Sequence, residues 1–158
     1  EASLTPAGGG EADSSSDVGI TYTGIDGLTI GLATGTDSGG SVEVDNSTRY
    51  ITYAYDAFTF GYQSNAMDSA TANADENFTA YAVSYAVNDD LSISYGYSEL
   101  DYEGTSTVTD TTQEASAISV SYTMGSMAIA ATRADVDNQD GDQVKDGEGY
   151  EINVAFTF

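Results

Sequence analysis

The chain closes on a strict alternation. Over its last nine residues Tyr150, Ile152, Val154, Phe156 and Phe158 take turns with Glu151, Asn153, Ala155 and Thr157. A period of two places these sets on opposite faces of a strand. An apolar stripe of that length facing water is an aggregation hazard. It is stable where the face meets lipid and a neighbouring strand closes the edge.

The same period recurs upstream. It predicts strands over 17–24 (Val18, Ile20, Tyr22), 28–34 (Leu28, Ile30, Leu32), 48–55 (Ile51, Tyr53, Tyr55) and 58–64 (Phe58, Phe60, Tyr62). It continues over 78–87 (Tyr81, Val83, Tyr85, Val87), 91–98 (Leu91, Ile93, Tyr95, Tyr97), 115–124 (Ile118, Val120, Tyr122, Met124) and 127–134 (Met127, Ile129, Ala131). With the last strand that makes nine. Twelve tyrosines, 17 glycines and a single proline suit an all-β chain, and no Ala-, Leu- and Lys-rich stretch supports a helix. No apolar run approaches the ~18–20 residues of a transmembrane helix.

The connections alternate between short turns near 26, 56, 89 and 125 and long polar loops at 35–47, 65–77, 99–114 and 135–148. This rhythm sends all turns to one end of an up-and-down meander and all loops to the other. Counting 1–16 as a further loop, 20 of the 26 carboxylates fall in long loops and four in turns. A charge facing lipid costs ~2–4 kcal/mol at the midplane, so a bilayer would enforce that division. A soluble sandwich would instead scatter Lys and Glu over its outer faces.

The second face of each strand is small and polar. Thr21, Thr29, Thr52, Thr59, Gln63, Ser84, Ser92, Ser94, Ser119, Ser121, Glu151 and Asn153 are the candidate pore-lining residues. Such side chains bury little apolar area and need hydrogen-bond partners, so they suit a wetted wall better than a core. Aromatics gather toward the short turns. Tyr22, Tyr55, Phe58, Tyr85, Tyr95, Tyr122 and Phe156 are the candidate interface girdle, and core aromatics are the competing reading.

Three Lys and Arg against 26 Asp and Glu give a formal charge of −23, which opposes nucleic-acid or anionic-lipid binding through a basic patch. Without Cys there is neither a disulfide framework nor a thiolate metal site, and without His or a nucleophile-elbow serine catalysis has little support. Gly8-Gly9-Gly10 lacks the strand–helix context and lysine of a phosphate loop. Around Asp135, Asp137, Asp140 and Asp142 the spacing approaches a calcium loop, but Gly141 comes one residue late. A solvated acidic loop is the reading there, with loose Ca²⁺ binding as the alternative and no metal site or other cofactor expected. Arg49 and Arg133 share the parity of the apolar face, which predicts snorkelling or pairing at an interface; a bulge that reversed parity would turn them into the pore. Lys145 is expected to be solvated in its loop.

On these residues, over about 17–158, the chain resembles the general diffusion porins of Gram-negative outer membranes, particularly the alphaproteobacterial type. The resemblance implies an all-β fold, a transmembrane antiparallel up-and-down β-barrel with a porin-like total of sixteen strands. It also implies a terminal strand (Tyr150, Ile152, Val154, Phe156, Phe158) read by the barrel-assembly machinery, and a homotrimer in contact with lipid and lipopolysaccharide. Nine is an odd count, and 1–16 reads as a loop segment on the long-loop side. The expectation is therefore a C-terminal half, strands 8 to 16. The function expected is passive diffusion of ions and small hydrophilic solutes, with cations preferred and no enzymatic activity. The alternative is a soluble or surface-exposed acidic all-β adhesin or S-layer-like calcium-binding module.

Overall fold

The computed structural model describes residues 2–7, 15–38, 42–72, 74–104 and 110–156, with side chains described from residue 17 onward. They form one ten-stranded antiparallel sheet in strict sequence order. The strands are β1 (Ala2–Ala7), β2 (Ser15–Ile25), β3 (Leu28–Asp37), β4 (Val44–Tyr55) and β5 (Phe58–Ser69), followed by β6 (Glu76–Ala86), β7 (Leu91–Tyr102), β8 (Thr111–Met124), β9 (Met127–Asp137) and β10 (Gly147–Phe156). A single 3-10 turn, Gln139–Gly141, interrupts the β9–β10 connection. No helix among the described residues is long and apolar enough to cross a membrane.

All nine strands expected from alternation are present. The tenth, β1, lies in the segment that reads as a loop. Its six residues carry one large apolar side chain, too little alternation to stand out, yet they pair in register with β2, Leu4 opposite Ile20 and Pro6 opposite Val18. Pro6 thereby sits on an edge strand, where a missing N–H is tolerated. The extra strand also corrects the placement of the chain start. Ala2 stands opposite Tyr22 and Phe156 opposite Met127, so β1 starts and β10 finishes toward the short-turn end. Phe158, like Thr157, lies outside the described residues.

The strands also overrun the expected loops. Glu99 and Asp101 lie in the last rungs of the ladder on β7, Glu114 is the fourth residue of β8, and Asp135 and Asp137 lie at the end of β9. Hydrophobic alternation reports only the covered stretch of a strand, whereas the hydrogen-bond ladder continues beyond it as long as the backbone groups find partners.

Among the described residues no hydrophobic side chain is buried. The sheet is one layer with two exposed faces, and directly opposed residues share a face. One row reads Leu28, Tyr53, Phe60, Val83, Tyr95, Ile118, Arg133, Tyr150 across β3 to β10. It begins beside the 26–27 turn and ends near the loop end of β10, so the strands tilt relative to the line of turns. That stagger is what closing a barrel requires. The central strands give this face three or four large apolar positions each, such as Leu91, Ile93, Tyr95 and Tyr97 on β7, before the first charge. At ~3.3 Å per residue those positions span ~20 Å along the strand, close to the ~25 Å apolar band of outer-membrane barrels.

Short turns set this register. Gly27 and Asp56 take positive φ (72° and 52°), as does Gly125 (60°), the conformation tight hairpins demand. In the β6–β7 turn the N–H groups of Asp90 and Leu91 both donate to Asn88 Oδ1 at 2.9 Å. A bulge in β2 between Tyr22 and Ile25 inserts one residue, so Ile25 faces Leu28 and joins the apolar face despite its odd number.

Candidate functional site

The opposite face is built from rows of short side chains. One row runs Thr59, Ser84, Ser94, Ser119, Thr132, Glu151 from β5 to β10. The next row toward the turns holds Ser92, Ser121, Ala130 and Asn153. On the other side, Thr29, Thr52, Gly61, Ala82, Gly96 and Ala117 follow one another, and Thr21, Gly31, Tyr50 and Gln63 form a fourth row. The register thus brings all twelve candidate pore-lining residues onto one face. Ser119 and Thr132 hydrogen-bond across strands (2.7 Å), Asn153 Nδ2 donates to Glu151 Oε1 (2.8 Å) and Gln63 Nε2 to Asn65 Oδ1 (3.2 Å). These groups satisfy one another only in part and stay open to solvent.

The Gly and Ala positions hollow this wall. A recess of about 440 Å³ lies over Gly61, Ala82, Gly96 and Ala117, bordered by Tyr50 and Phe78. The alternation of small residues does not announce Tyr50, Phe78, Leu100 or Tyr102 on this face, yet Phe78 stands opposite Leu100 there and Tyr102 opposite Glu76. Their parity was the available signal: each is out of step with the outward tyrosines of its own strand.

The girdle candidates all lie on the apolar face. Tyr55, Phe58 and Tyr85 form one row at the turn end, with the Phe58 and Tyr85 rings 4.6 Å apart. Tyr22, Tyr122 and Phe156 lie near the same end, while Tyr95 stands deeper, opposite Val83. A second aromatic row appears nearer the loops: Tyr62, Tyr81 and Tyr97 are consecutive partners, and the last two rings are 5.1 Å apart. Tyr97 caps it by donating its hydroxyl to Glu99 (2.9 Å). Of the terminal motif, Tyr150, Ile152, Val154 and Phe156 line the apolar face of β10, opposite Arg133, Ala131, Ile129 and Met127.

The register of β4 and β9 is unbroken, so no bulge turns Arg49 or Arg133 inward. Arg133 pairs with Asp135 (2.8 Å) and Glu148 (3.6 Å) and lies 5.8 Å from the Tyr150 ring centroid. Lys145 is not merely solvated. It pairs with Asp140, whose hydrogen bond holds the lysine above its ordinary pKa. Asp135 and Asp137 sit in β9 instead of in a calcium-type loop. Carboxylates on the strand ends also pair with threonines across strands, Thr36 with Asp45 (2.6 Å) and Thr112 with Asp101 (2.5 Å).

A sheet of this tilt, with one apolar and one small polar face, is a segment of an outer-membrane β-barrel wall. Solved structures agree on the fold. Refolded OmpT, an outer membrane protein of Vibrio cholerae, matches with a TM-score of 0.70 at 13% identity, over 91% of this chain and 55% of that one. OmpT expressed in the outer membrane gives 0.69 at 16%, over 91% and 56%. Its loop L8 deletion mutant gives 0.69 at 14%, over 91% and 53%. The chain therefore spans a little over half the length of the barrels it matches. Comparison with curated protein sequences finds no match. The family model described as Gram-negative porin matches residues 11–158, nearly the whole sheet. The chain belongs to the Gram-negative porins and is a protein of the outer membrane.

Proposed function

We propose that this chain forms part of the wall of a water-filled channel through which ions and small hydrophilic solutes diffuse passively, with cations preferred. The observation that carries it is the small face: four rows made mostly of Thr, Ser, Gly and Ala, with no buried hydrophobic side chain among the described residues. Among the described residues no second layer packs over these rows, and their hydroxyls are solvated by water at little cost. The preference for cations rests on charge. With a formal charge of −23 and most carboxylates toward the loop end, the mouth concentrates cations and repels anions. Pore-lining roles fall to Thr21, Thr29, Thr52, Thr59, Gln63, Ser84, Ser92, Ser94, Ser119, Ser121, Glu151 and Asn153.

The apolar face would meet lipid, with lipopolysaccharide against its charged upper margin, and would carry the contacts of a homotrimer. The β10 strand with Phe158 would be the signal for barrel assembly. Planar-bilayer recordings of the complete protein under a salt gradient test the reading. A reversal potential on the cation side, shrinking as salt rises, is expected; anion selectivity at low salt would contradict it.

A further inference from the structure

The β9–β10 loop, 138–146, does not stand free above the sheet. Asn138 Nδ2 donates to the Thr112 carbonyl (2.9 Å), the Asp140 N–H to Gln113 Oε1 (2.8 Å) and Gln143 Nε2 to Thr111 Oγ1 (3.3 Å). Gly141, at φ +77°, lies against the Tyr102 ring, where a β-carbon would come within 3.3 Å of Cδ2. Beneath the loop Thr111 is 9% exposed, the one buried polar side chain among the described residues. The loop is also tied to itself: Gln139 N–H donates to the Lys145 carbonyl (2.7 Å), Asn138 N–H to Asp146 Oδ1 (3.2 Å), and Lys145 Nζ bridges to Asp140.

The anchors have a common direction. Gln113 stands opposite Leu100, and Thr111 opposite Tyr102, which stands opposite Glu76. All belong to the small-residue face, two and four positions along β8 from Ala115. The loop is drawn over that face and away from the apolar one. Resting on the channel reading above, we propose that the 138–146 loop is a strap across the inner side of the channel mouth and that the Asp140–Lys145 pair on it is a determinant of ion selectivity. Lys145 is the strap's one cation beside Asp140, Asp142 and Asp146. A charge held in place at the mouth acts on passing ions more steadily than one on a free loop, because it stays close to their path.

The test uses the complete protein in planar bilayers and detergent. The chain has no cysteine, so the Thr111→Cys/Gln143→Cys variant reports the strap's position by one cross-link with a short bifunctional maleimide, which spans the length of the lost Gln143 side chain. The cross-link is expected to form in the folded protein and, by pinning the strap, to lower conductance below that of the same variant before cross-linking. Lys145→Gln is expected to shift the reversal potential further toward cations and Asp140→Asn away from them. Gln113→Ala, which frees an anchor, is expected to raise conductance. A folded barrel that fails to cross-link overturns the strap; cross-linking with unmoved reversal potentials overturns the selectivity role. A wild-type protein without conductance overturns the channel reading, and the selectivity role with it, while the cross-link still decides where the strap lies.

Discussion

The Tyr50 ring lies directly across Gly31, so that a β-carbon at residue 31 would clash hard with its Cε1 and Cζ. The two are cross-strand partners on the small face, and the glycine is what lets a tyrosine lie flat against that wall. Gly31→Ala must therefore displace Tyr50 or strain β3 and β4. A loss of ~1–3 kcal/mol is expected, as for an overpacked contact. The thermal midpoint of the folded protein in detergent checks it. Adding Tyr50→Ala should restore most of the loss; no rescue would mean the contact is not the cause.

Val120 and Ser121 are neighbours on β8 that face opposite ways, Val120 opposite Ile93 and Ser121 opposite Ser92. A lysine at 120 is expected to cost ~2–4 kcal/mol in folding titrations into lipid vesicles. At 121, facing water, it should cost far less. Equal costs at both positions would deny the two faces different solvents.

Arg133 sits among Asp135, Glu148 and the Tyr150 ring with half its side chain exposed. Exposed pairs of this kind are screened by water and contribute little, and the contact with the ring face adds a comparably small attraction. Arg133→Ala is therefore expected to cause only a small loss of stability, and less of one at high salt. A loss several times larger would place the arginine in a desolvated contact.

Lys145 has a pKa raised by the Asp140 hydrogen bond and its charge. For a raised lysine, the contribution of the pair is complete below the ordinary lysine value of ~10.4 and is lost as pH climbs through the raised one. Reversal potentials should thus show no lysine step from neutral pH up to that range. Above it a shift toward cations is expected, and Lys145→Gln should abolish that component. A Lys145-dependent step near neutrality would contradict the pair.

Much of this was legible in the residues. The nine alternating windows and the side on which each polar residue falls depend on a period of two, which a lipid-facing wall imposes strictly. Three features were not legible. β1 has a single large apolar residue, Leu4, and owes its place to pairing with β2. The acidic strand ends, such as Glu99 opposite Glu114, continue the ladder where hydrophobicity no longer marks it. The hold of Gln113 and Thr111 on the loop joins residues 27 and 32 positions apart, a contact that only the tertiary register creates.

The central claim is that one face of the sheet meets lipid and the other meets water. Single cysteines placed along β7 from 91 to 98 in the otherwise cysteine-free chain, reconstituted in vesicles and treated with a water-soluble maleimide, test it directly. The account predicts labelling in step with the strand: fast at Ser92, Ser94, Gly96 and Ser98, slow at Leu91, Ile93, Tyr95 and Tyr97. Uniform labelling of both sets, or protection of the Ser92–Ser94 side, would contradict it.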